Sequence, residues 1–135
     1  MTYKHTVQYY ETDKMGITHH SNYIRWMEEA RVDFLKQIGW SYEKLEADGV
    51  ISPVTAIDCR YKASTTFPDE ITIAVSVAEY RGVRLKLRYE MTDAAGKTVF
   101  EAASEHCFLD RSGRIVRPER ELPKLHECLV SLASE

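Results

Sequence analysis

The sequence predicts an α+β fold, with one long apolar helix laid against an antiparallel sheet. Three observations lead there. Tyr23, Trp26, Met27, Ala30, Phe34 and Ile38 recur at steps of three and four, the spacing of one helix face. After Pro53, apolar residues occupy every second position in successive segments, the period of a strand with one covered face. Short connections join those segments, which favours antiparallel neighbours. A helix stripe and a sheet face each need an apolar partner, and each supplies the other's.

The elements follow in order. Tyr3, His5, Val7 and Tyr9 alternate with Lys4, Thr6, Gln8 and Tyr10, predicting a strand over 3–10 that ends near Glu11. Ser21 or Asn22 is expected to cap the long helix, because a short side-chain oxygen can accept an unpaired N–H one turn on. Val32 and Leu35 widen the helix's apolar face, while Arg25, Glu28, Glu29, Asp33 and Lys36 make its polar side, and Glu28, Glu29 and Arg31 read as a solvated or interface side. Gly39 stops the helix, and Trp40 to Asp48 holds a short second one. Strands are expected over Val54–Tyr61, Glu70–Tyr80, Val83–Thr92 and Lys97–Asp110, with a hairpin turn at Asp93–Gly96 and another turn at Arg111–Arg114. Leu122, Leu125, Leu129 and Leu132 mark a C-terminal helix.

The chain of 135 residues fits one domain, and no linker, low-complexity tract or internal repeat divides it. A net charge of −3, with basic residues dispersed, gives no sign of a nucleic-acid partner. Three cysteines, Cys59, Cys107 and Cys128, are odd in number and far apart, which points to reduced thiols and a cytoplasmic location. No leader peptide or membrane-spanning run is evident, so no membrane partner is expected.

The stretch Tyr9-Tyr-Glu-Thr-Asp-Lys-Met-Gly-Ile-Thr-His-His-Ser-Asn-Tyr23 carries the chemistry. An acid precedes a glycine turn, and the turn feeds a helix start. Helix starts offer free N–H groups and partial positive charge. A carboxylate beside such donors suits attack on a carbonyl: one group attacks or activates water, the other holds the developing oxyanion. No G-x-S-x-G nucleophile elbow and no glycine-rich phosphate loop competes with this reading. The five histidines are scattered beyond His19-His20, so no metal site is expected.

In Tyr10-Glu-Thr-Asp13, Gly16-Ile17, His20, Asn22-Tyr23 and Glu28-Glu-Ala-Arg31, the chain resembles hotdog-fold thioesterases, of the 4-hydroxybenzoyl-CoA thioesterase and YbgC-like acyl-CoA thioesterase group. The order of elements matches over nearly the full length. The resemblance implies a central helix wrapped by a five-stranded antiparallel sheet. It also implies homodimers, or tetramers built from them, with the active site at the subunit interface. The activity it implies is hydrolysis of an acyl-CoA to free acid and CoA, without a cofactor, since CoA belongs to the substrate. Asp13 takes the catalytic position as general base or nucleophile; a turn cap is its plainer reading. His20 fills the family's His or Asn position, and the N–H groups around His20 and Ser21 are the expected oxyanion donors. Gly16 lets the chain turn sharply and a thioester approach. Tyr23 helps shape the acyl pocket or simply packs. Arg81, Arg84 and Lys62 are candidate contacts to CoA phosphates. Glu11 reads as peripheral, and Glu28 and Glu29 are weaker alternatives for the catalytic acid. An acyl-ACP thioesterase, a hydratase or a non-catalytic acyl-thioester binder are the rival functions.

Overall fold

A computed structural model describes residues 1–135. Strand β1 covers Thr2–Thr6 and is shorter than its alternation predicts. Its ladder ends where Thr6 pairs with Glu70. The chain then curls into a single 3-10 turn at Tyr9–Glu11, because the Glu11 carboxylate accepts the Gln8 N–H at 2.8 Å. Tyr9 and Tyr10 therefore stand in solvent instead of extending the sheet.

Helix α1 runs Ser21–Gln37 and buries the expected stripe of Tyr23, Trp26, Met27, Ala30 and Phe34, with Leu35 beside it. Fully burying side chains of this size contributes about 2–3 kcal/mol each. Val32 stays exposed, so the face is narrower on that side than expected. Arg31 corrects the sequence reading in the other direction: it is buried. Neither Ser21 nor Asn22 caps the helix. His20 is the N-cap, already helical at φ −54, and its side chain makes no capping bond. The Asn22 amide instead reaches back to the Glu11 carbonyl at 2.9 Å. At Gly39, φ is +89, the left-handed geometry that ends helices and suits glycine. Helix α2 then spans Tyr42–Ala47.

Strands β2 (Val50–Ile51), β3 (Val54–Tyr61), β4 (Glu70–Tyr80), β5 (Arg84–Thr92), β6 (Thr98–Cys107) and β7 (Leu109–Asp110) follow. The single return strand expected over 97–110 is divided at Phe108. That residue is buried, and its carbonyl accepts the Val116 N–H at 2.8 Å, so β7 leaves the main sheet and pairs with β2. The C-terminal helix is also divided: α3 covers Pro118–Glu121 and α4 covers Pro123–Ala133. Pro123 lacks an N–H and starts the second piece.

The main sheet is antiparallel throughout, in the order β1-β4-β5-β6-β3. Ile71, Ile73 and Val75 of β4, and Leu85, Leu87, Tyr89 and Met91 of β5, turn inward to one cluster of 25 buried apolar side chains that includes the α1 stripe and Leu122, Leu125 and Leu129. This is the α+β arrangement that the helix stripe and alternating strands predict. β3 differs from its neighbours. It is an edge strand, and its Val54, Ile57 and Tyr61 remain 40–47 % exposed. No helix is long and apolar enough to cross a membrane.

Candidate active site

The loop between β1 and α1 is anchored by Glu11. Its carboxylate is buried and accepts from Gln8 N, His5 Nε2 and Trp26 Nε1, each at 2.8 Å. Burial alone would raise the Glu11 pKa. The hydrogen bonds from Gln8, His5 and Trp26, together with the nearby His5, outweigh burial and lower it. The Glu11 carbonyl accepts the His19 N–H at 2.8 Å as well as the Asn22 amide. One residue thus ties the strand end, the loop's return and the helix start. Glu11 is the main residue that sequence reasoning undervalued; its partners His5, Trp26 and Asn22 are spread over two elements and leave no local pattern.

Between Glu11 and His19 the loop projects as a tight turn. The Asp13 N–H donates to the Ile17 carbonyl at 2.9 Å, and the Gly16 N–H to the Asp13 carbonyl at 2.9 Å. Gly16 has φ +79, a conformation costly for side chains, and its carbonyl accepts Thr66 Oγ1 at 2.7 Å. Asp13 Oδ1 accepts the Met15 N–H at 2.8 Å, the turn-capping role. Oδ2 makes no hydrogen bond within the chain, and the side chain is half-buried.

Asp13 lines a cleft of about 340 Å³ with Met15, Ile17, His20, Tyr23, Tyr61 and Lys62. Four of the residues singled out in the sequence, Asp13, His20, Tyr23 and Lys62, therefore meet. Tyr23 is held by Thr65 Oγ1 at 2.9 Å, stacks on Phe100 at 4.9 Å, and has its phenol pKa raised by burial. Tyr61 donates to the His20 carbonyl at 2.9 Å and docks β3 on the helix start. The His20 N–H makes no hydrogen bond within the chain. Tyr61 was not a sequence candidate: it comes from a strand forty residues away and belongs to no local motif.

The other candidates lie apart. Gly16 and Ser21 do not line the cleft. The Ser21 hydroxyl is 2.8 Å from His19 Nδ1, and the Ser21 N–H also faces that nitrogen, at 3.3 Å. Arg81 and Arg84 sit at the β4–β5 turn. Arg84 pairs with Cys107, whereas Tyr61 pairs with Phe100, seven residues along β6, or roughly 23 Å at strand rise. These arginines do not reach this chain's own cleft, because the hairpin carries them to the opposite end of the sheet. Arg81 is instead paired with Glu79. Glu28 and Glu29 do not line the cleft either; Glu29 accepts Tyr3 OH at 2.9 Å.

A carboxylate and an unused backbone N–H at a helix start, on residues that line one cleft, can activate or attack at a carbonyl while the N–H receives negative charge. Comparison with known proteins gives the family. Residues 7–128 match the family model described as the thioesterase-like superfamily. The chain is 32 % identical to a putative acyl-CoA thioesterase, YneP, of Bacillus subtilis, over 89 % of this chain and 88 % of that protein. It is 27 % identical to the acyl-CoA thioester hydrolase YbgC of Escherichia coli, over 71 % and 72 % respectively. A solved DHNA-CoA thioesterase from Staphylococcus aureus superposes with a TM-score of 0.94 at 30 % identity, covering 98 % of this chain and 90 % of that one. With the central helix, the five-stranded antiparallel sheet and a family match spanning most of its length, the chain belongs to the thioesterase-like superfamily and has the hotdog fold.

Proposed function

We propose that residues 1–135 act as one domain that hydrolyses an acyl-CoA to the free acid and CoA, with Asp13 as the catalytic carboxylate. The family and the named functions of the relatives support the thioester hydrolase activity. The observation that carries the residue assignment is the convergence of Asp13 and the N–H-bearing start of α1 on one cleft. Asp13 Oδ2 activates water or attacks the thioester carbonyl. The His20 N–H, at the positive end of the helix, holds the resulting oxyanion. The His20 imidazole stands at the cleft rim and contacts substrate. Lys62 faces the same opening and offers a charge to the phosphates of CoA. Water and CoA complete the reaction without a further cofactor.

The edge strand β3 bears exposed apolar side chains next to the cleft, and a second copy pairing there would cover both its free backbone groups and that surface. A homodimer is the assembly this reading expects. The test is a hydrolysis screen over short, long and aromatic acyl-CoAs, with Asp13→Asn as control. Turnover that the variant loses while keeping affinity supports the proposal; no turnover on any acyl-CoA overturns it.

A further inference from the structure

A second polar cluster lies farther along α1 from the cleft, and residues of α1 and β3 line both. There Ile24 of α1 and Ile57 of β3, each 40 % exposed in the single chain, border a cavity of about 50 Å³. Arg31, His106, Ser104, Tyr89 and Glu28 line it too. Two of its buried groups, Arg31 and His106, are only partly satisfied. Arg31 is 6 % exposed and forms no ion pair. Its one hydrogen bond goes from Nη1 to the Ser52 carbonyl at 3.1 Å, and the Tyr42 ring faces the guanidinium at 5.3 Å. His106 is 1 % exposed. Its Nε2 meets Ser104 Oγ at 2.6 Å, and that oxygen meets Tyr89 OH at 2.7 Å. Its Nδ1 has no hydrogen-bond partner. Burial, and then the Arg31 charge, push the His106 pKa down to about 4, while the Pro53 backbone pulls the other way. The ring is therefore neutral at neutral pH, and Arg31 is the one buried charge that lines this cavity.

We propose that this cavity receives the carboxylate at the far end of an extended acyl chain whose thioester lies at Asp13. The inference rests on the acyl-CoA reading above. A buried cation without a counter-charge is costly, so a ligand carboxylate would be favoured there. Glu28 is the opposing charge, and it stands exposed at the mouth rather than against the guanidinium. A space of about 50 Å³ admits a small polar group and excludes an aromatic ring. From His20 to Arg31 the helix rises roughly 16 Å, room for an extended acyl chain of middle length. Ile24, Met27 and Ile57, which share the cavity's lining with Arg31, suit methylenes.

The experiment compares kcat/KM for dodecanoyl-CoA and for its ω-carboxy counterpart, the mono-CoA thioester of dodecanedioic acid. The wild-type protein is expected to favour the ω-carboxy substrate about tenfold, as one charge-assisted contact allows. Arg31→Met keeps the stem length and removes the charge. It should bring that ratio to about one with dodecanoyl-CoA turnover within about twofold of wild type. Equal rates in the wild type overturn the inference without needing any variant to fold. An Arg31→Met protein slowed equally on both substrates, with a lower Tm, overturns it too and makes Arg31 a structural residue. Hydrolysis without preference sinks this inference alone, whereas no hydrolysis of any acyl-CoA sinks it together with the thioesterase reading.

Discussion

Glu11 and Asp13 are two carboxylates of one loop, two residues apart, and the fold treats them in opposite ways. Glu11 is 5 % exposed, and both its oxygens are occupied by three donors. Asp13 gives one oxygen to a turn and leaves the other free in a cleft. The difference teaches what a reactive carboxylate requires. Saturating hydrogen bonds stabilise the anion and suppress its basicity, which serves structure. An oxygen left without a partner in a cleft is open to a ligand or water, which is what the proposed chemistry needs. The saturated acid also holds the free one in place, because the Glu11 carbonyl fastens both His19 and Asn22 across the base of the turn.

The largest expected effect breaks the comparison at its reactive end. Asp13→Asn should lower kcat by about a thousandfold, in the range that general base or nucleophilic groups contribute, with KM changed by only a few-fold. The measurement is steady-state hydrolysis of whichever acyl-CoA the wild type turns over. A loss below about tenfold would move the chemistry to another group. Asn keeps an oxygen that can accept the Met15 N–H, so the turn should survive and the loss report the reaction.

Glu11→Gln tests the structural end. All three partners of the carboxylate approach as donors, so the amide NH2 must face one of them. A stability loss of about 2–3 kcal/mol is expected from that mismatch, read as a lower midpoint in urea. An unchanged midpoint would mean that the network contributes little. Its acid dependence has a defined sign. The folded Glu11 pKa is lowered, so its contribution is present above the ordinary glutamate range and disappears as the pH falls through the folded value.

His106 adds to the same acid lability from a different region. Its ordinary pKa is 6.5 and its folded value about 4, so between these the unfolded chain holds a proton that the folded chain does not. Stability therefore falls as the pH drops through that window, by at most about 3 kcal/mol for a fully realised shift. Urea midpoints at about pH 7 and about pH 5 measure it. His106→Leu should flatten the slope between them, and an equally steep slope in that variant would assign the dependence elsewhere.

Much of this was legible in the sequence because it is local. The α1 stripe, the β5 alternation and the order Asp13, Gly16, His20 are each written in consecutive residues, and the fold keeps them. What was not legible depends on distant pairings. Tyr61 reaches His20 only because β3 lies at the sheet edge beside the helix start. The β1 alternation predicts extension to residue 10, yet the Glu11 carboxylate curls the chain after Thr6. Arg31 reads as a solvated or interface helix side, but it is buried and donates to the Ser52 carbonyl in the link between β2 and β3. Ser21 looks like a cap, and the chain enters the helix already coiled at His20.

The smallest expected effect separates the cationic candidates by position. Lys62 lines the Asp13 cleft, whereas Arg81 and Arg84 lie at the far end of the sheet from it. A single exposed cation facing a phosphate contributes about 0.2–1 kcal/mol, so Lys62→Ala should raise the KM for an acyl-CoA about two- to fivefold with kcat unchanged. The effect should shrink as salt is added, because exposed charges are screened. Joint replacement of Arg81 and Arg84 by Ala should leave KM within about twofold, since neither reaches the cleft of its own chain. A larger rise in the double variant, lost on dilution to monomer, would place these arginines on the cleft of a second copy and make the site a shared one.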